Sequence, residues 1–99
     1  MGVADERRSG DPDRLVQNPK VLTRSGSFGR VLMSSTAEQP TTLRGTGTDL
    51  WDFFERPHTE PQLVAWLAQQ YQVDSVVIAI DVAAAIKELL REDLLQWTR

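Results

Sequence analysis

His58 is the only histidine among 99 residues. A general-base or metal-binding role would need partners gathered round it. It stands between Pro57 and Thr59, in a connection, with no carboxylate cluster nearby, and reads as a turn residue. Asp49 and Asp52 are close in sequence, as are Glu92 and Asp93. Each pair supplies two carboxylates and no third ligand, so each reads as a solvated helix face. There is no cysteine, which excludes disulfides, zinc–thiolate sites and thiol nucleophiles. Gly45-Thr46-Gly47 lacks the strand and the later glycine of a dinucleotide site, and no phosphate loop of the form G-x-x-x-x-G-K-[ST] occurs. The sequence therefore reads as a protein that is not an enzyme, with no cofactor and no metal.

What remains is the chemistry of recognition. Pro40 to Arg44 reads as a short strand, and a proline at its start demotes it to a sheet edge. An edge carries unpaired N–H and C=O groups that an extended peptide can join. Thr41, Thr42, Leu43 and Arg44 are the candidate residues. A second candidate surface lies on the last long helix. With Ile78, Val82, Ala85 and Leu89 turned to the core at about 100° per residue, Val76, Ala79, Ala83, Ile86 and Leu90 lie on one flank. Ile80 and Lys87 sit farther round, and Asp74, Asp81 and Glu88 occupy the opposite flank. The apolar face is wider than one core contact requires. Val76, Ala79, Ile80 and Ala83 are the expected groove lining, with Lys87 and Arg44 at its rim to meet an acidic guest residue. A groove for a guest is one reading of that flank. Cover by the N-terminal hairpin or by a second copy in a homodimer is the other.

These surfaces need elements to hold them. Residues 1–18 are polar and mixed in charge and read as a disordered N-terminal tail, leaving residues 19–99 as one domain. Val21 to Arg24 and Phe28 to Ser34, joined by Ser25-Gly26-Ser27, read as a hairpin, with Thr41 to Leu43 as the third strand. Leu50, Trp51, Phe53 and Phe54 mark a short helix ended by Pro57. Thr59 with Gln62 reads as a capping box, opening a second helix through Leu63, Leu67 and Tyr71. Asp74 or Ser75 caps a third helix running to about Arg91, and Leu94 to Trp97 reads as an extended return. Trp51 and Trp66 are expected in packed positions. The fold class is α+β, a winged helix-turn-helix of three short N-terminal strands followed by three helices.

Apolar residues make up 40%, charged residues 25%, and the net charge is −3, an ordinary globular mix. On and after the third helix Asp74, Asp81, Glu88, Glu92 and Asp93 outnumber Lys87 and Arg91. A DNA reader needs the reverse balance on the element entering the groove, so no nucleic acid is expected as partner. No apolar run is long enough to span a bilayer and no secretion signal is visible. No membrane association is expected, and the cytoplasm is the default location.

From Leu43 to Leu95 the sequence resembles the PqqD family. The resemblance rests on an ordered series: Leu43, Gly45-Thr46-Gly47, Leu50-Trp51, Phe53-Phe54, Thr59, Leu63-Val64, Leu67, Tyr71, Val73-Asp74, Asp81-Val82, Ile86, Leu89 and Leu94-Leu95. Asp93 stands where the family usually has a small residue, and Thr41 and Thr42 stand where an aromatic often precedes the strand's leucine. The resemblance implies a peptide chaperone, a recognition element for ribosomally made natural-product precursors. Such a domain binds the leader peptide as an added strand beside the third strand and the third helix. It presents the leader to a modifying enzyme, such as a radical-SAM protein or a leader peptidase, in biosynthesis of the pyrroloquinoline quinone or lasso peptide kind. Two other functions stay open at this level: a winged-helix DNA-binding regulator, and a structural docking subunit that holds no peptide.

Overall fold

The computed structural model describes residues 13–36 and 38–98. Its order is β1 (Arg14–Gln17), β2 (Leu22–Gly26), β3 (Gly29–Met33), β4 (Thr41–Leu43), α1 (Thr46–Phe53), β5 (His58–Thr59), α2 (Glu60–Tyr71), α3 (Ser75–Arg91) and β6 (Leu95–Trp97). The strands form two antiparallel sheets, ordered β2-β3-β4 and β5-β1-β6.

The first sheet is the expected hairpin plus a third strand. Its turn is tighter than the Ser-Gly-Ser reading suggests: Gly26 pairs with Gly29, so Ser27 and Phe28 alone make the connection. Gly29 has φ +133°, a conformation that glycine adopts without the steric penalty other residues meet. In β3, Leu32 is fully buried; Arg30 pairs with Leu43 in β4 and Thr41 with Leu32.

Local signals fix the helix ends. Gly45, at φ +57°, swings the chain from β4 into α1. Thr59 caps α2 by accepting from the Gln62 amide at 3.2 Å, while the Gln62 side chain accepts from the Thr59 amide at 2.9 Å. Gln72 closes α2 in a left-handed conformation, and Asp74 opens α3 by accepting from the Val76 amide at 2.9 Å. At the far end of α3, Asp93 is left-handed (φ +63°) and the Leu94 amide donates back to Leu89. Glycine is the usual residue at such a helix stop.

The second sheet corrects the tail reading for residues 14–18. Met1 to Pro12 lie outside the described residues, but Arg14 to Gln17 form the central strand, flanked by β5 and β6. Leu15 is completely buried. The amides of Gln17 and Asn18 donate to the Phe54 and Leu94 carbonyls at 2.8 and 2.9 Å, and the Gln17 side chain donates to the Trp51 carbonyl at 2.7 Å. The segment looks polar because its polar groups satisfy carbonyls at the ends of α1 and α3, work that needs little apolar surface.

The core joins Leu15, Leu32, Leu50, Trp51 and Phe54 to Leu63, Leu67, Val82, Ile86 and Leu89, closed by Leu94 and Leu95. Half-buried Trp66 stacks on Phe53, with centroids 5.2 Å apart, and His58 stacks on the same ring at 4.2 Å. No helix of the described residues is long and apolar enough to cross a membrane.

Candidate functional site

Asp49, Asp52 and His58 each meet a side-chain partner within the fold. Asp52 takes two bonds from the Arg30 guanidinium, at 2.7 and 3.2 Å, tying α1 to β3. Asp49 accepts the hydroxyl of Tyr71, which pins the start of α1 to the end of α2. That hydrogen bond, then desolvation and last the carboxylate's charge, raises the Tyr71 phenol above its ordinary value. His58 Nδ1 lies 3.3 Å from the Gln62 amide oxygen. Among the described residues no His, Asp and Glu cluster is arranged to hold a metal.

Strand β4 is the terminal strand of its sheet, paired with β3 on one side only. In an antiparallel pair alternate residues direct N–H and C=O away from the partner. Either Thr42, or Thr41 with Leu43, therefore offers backbone groups outward. Thr41 and Leu43 are half-buried and Thr42 is exposed, the alternation of a strand with one covered face. Leu43 packs on the core.

Gly47, where an added Cβ would lie 3.7 Å from the Leu43 side chain, borders a cleft of about 170 Å³. Thr46, Gly47 and Leu50 of α1, Leu67 of α2, and Ile78, Asp81, Val82 and Ala85 of α3 form its walls. Small-molecule sites occupy roughly 300–1,000 Å³; this one has room for a side chain or two of a longer guest. Its floor is apolar and Asp81 is its one charged wall residue.

The cleft lies along the α3 stripe expected to face the core, Ile78, Val82 and Ala85, edged by Asp81 of the acidic flank. Val76 and Ile80 are 69% exposed, and Ala83 and Lys87 are exposed as well, so the hairpin does not cover them. None of the four lines the cleft beside β4. Ala79 lines a separate depression against α2, with Glu60, Pro61, Val64, Ala65 and Ser75. A helical wheel yields two flanks of one apolar stripe. Which residues border the cleft depends on how α1 and α2 pack against α3, and only the tertiary structure fixes that. Ile78, Asp81, Val82 and Ala85 are the α3 wall residues that the wheel assigned to other faces, and Thr46, Gly47, Leu50 and Leu67 lie on α1 and α2, outside it. Arg44 follows the edge strand and is exposed, outside the cleft lining.

Residues 29–95 match the family described as coenzyme PQQ synthesis protein D (PqqD). No curated protein matches the sequence. Among solved structures, TbiB1 in complex with the TbiA(beta) leader peptide superposes with a TM-score of 0.73 at 19% identity, covering 81% of this chain and 93% of the other. A lasso peptide synthetase B1 complexed with the leader peptide gives 0.71 at 17% identity, covering 82% and 95%. The PqqD truncation of Methylobacterium extorquens PqqCD, described as a functional, stand-alone RiPP recognition element, gives 0.69 at 19% identity, covering 87% and 92%. At these identities the likeness is one of fold.

Proposed function

The chain belongs to the PqqD family, and from that premise we propose that it is an adaptor that captures the leader of a ribosomally made precursor peptide. The leader adds as a strand along Thr41 to Leu43. Its apolar anchors enter the cleft walled by Thr46, Gly47, Ile78 and Ala85. The chain contributes no reacting group. It acts in the cytoplasm, where the precursor is made, and hands the peptide to a modifying enzyme such as a radical-SAM protein or a leader peptidase.

The observation that carries this reading is a terminal strand close to an apolar cleft: the Leu43 side chain of β4 lies 3.7 Å from where a Cβ on Gly47, a cleft wall residue, would stand. Backbone pairing supplies sequence-independent affinity, and a side-chain pocket next to it supplies selectivity. A guest strand would run about 4.8 Å from β4. The two solved complexes that share this fold each hold a leader peptide.

The test is a calorimetric titration of the full chain with the synthetic leader of any short precursor frame found beside its gene. Binding should be lost on Thr46→Trp, which fills the cleft from an exposed position, and kept on Ala83→Trp, on the other flank of α3. A folded chain with no affinity for the leader would favour the docking-subunit reading. Loss on Ala83→Trp alone would restore the flank favoured by the sequence.

A further inference from the structure

The flank of α3 that faces the cleft carries three carboxylates, Asp74, Asp81 and Glu88, spaced seven residues apart and so nearly in line. Two of them are occupied. Asp74 caps its own helix through the Val76 amide, and Glu88 is paired with Arg91. Asp81 has no hydrogen bond or ion pair among the described residues, and it is the charged member of an otherwise apolar and small-residue wall. Nearby Asp49 is held by Tyr71. The sequence predicts a cation, Lys87 or Arg44, at the rim to meet an acidic guest. The cleft presents the opposite charge.

We propose that Asp81 determines specificity within the capture site by selecting a lysine or arginine in the guest strand. The inference rests on the peptide-capture reading above and adds to it the chemical class of the ligand. An extended guest covering the cleft withdraws Asp81 from water, and a buried carboxylate without a donor is costly. A guest cation removes that cost and forms a charge-assisted bond, roughly twice as strong as a neutral one. A guest with an acid at the same place is rejected. The long stem of lysine or arginine lies along the apolar floor while its charged head reaches the carboxylate, so one residue can use both kinds of wall.

The experiment is selection of a random-peptide phage library on the full wild-type chain and on Asp81→Lys. Asp81 is exposed, so the variant should keep the wild-type circular dichroism spectrum. Peptides whose binding is blocked by Thr46→Trp define the cleft-dependent set. In that set the wild type should enrich lysine or arginine at one fixed position, and Asp81→Lys should enrich aspartate or glutamate there. Replacing the selected cation by glutamine should weaken wild-type binding about tenfold, and Asp81→Asn should show no such sensitivity. Cleft-dependent peptides without a fixed cation, or carrying a tyrosine or serine there instead, would overturn the role of Asp81 and leave peptide capture standing. An absence of cleft-dependent peptides would overturn both.

Discussion

A Cβ placed on Gly29 would lie 2.0 Å from the carbonyl oxygen of Leu43. The edge strand is therefore seated against bare backbone, with no space for a methyl group between β3 and β4. At φ +133° the position is also closed to other residues on conformational grounds. Gly29→Ala should cost about 2 kcal/mol by urea unfolding and should shift the β4 amide resonances. Unchanged stability and unchanged Thr41 to Leu43 resonances would mean that the strand is not held this way.

Strand β1 closes the fold from the N-terminal side. A chain beginning at Pro19 loses the partner of β5 and β6, the buried Leu15 and the donors that Gln17 and Asn18 give to helix-end carbonyls. We expect that truncation to abolish the cooperative thermal transition that the full chain shows. A cooperative melt at an unaltered temperature would restore the tail reading for residues 14–18.

Val82 is 3% exposed, in the middle of α3. Val82→Asp should unfold the domain, because the new carboxylate has no partner in an apolar core. Circular dichroism with a native helix signal and a sharp melt would contradict the core assignment.

Asp93 holds a left-handed conformation at the helix stop. Asp93→Gly should raise stability by about 0.5–1 kcal/mol, read as an upward shift of the urea midpoint. A lower midpoint would show that the aspartate supplies something beyond its backbone geometry.

Tyr71 is the only tyrosine, so absorbance titration reads its phenol alone. Its pKa is raised, chiefly by the hydrogen bond to Asp49. The folded state favours the protonated phenol. The associated stability is therefore complete below the unfolded value of 10.0 and is lost as pH rises through the higher folded one. Asp49→Asn should lower the Tyr71 titration midpoint. An unmoved midpoint would break the link between α1 and α2 described above.

Much of the helical architecture was legible because its signals are local. The Thr59 and Gln62 capping box, Pro57 as a stop and the Asp74 cap each act within one turn, and the structure uses them as the sequence suggests. Strands β1 and β5 were not legible. Each is short, and its register comes from partners far away in the chain, Arg14 with Thr59 and Gln17 with Leu95. The site divides along the same line. The edge at Thr41 to Leu43 follows from Pro40 and the glycines after it. Which face of α3 borders the cleft follows from how α1 and α2 pack on it, which periodicity within α3 does not carry.

The central claim is that a guest strand lies between β4 and the Ala85 flank of α3. Intermolecular nuclear Overhauser contacts between an unlabelled bound leader peptide and the isotope-labelled chain test it directly. The account predicts contacts from the peptide backbone to Thr41, Thr42 or Leu43, and from its side chains to the Ala85 methyl and Gly47. Contacts to the Ala83 and Ile80 methyls, with none to β4, would contradict it.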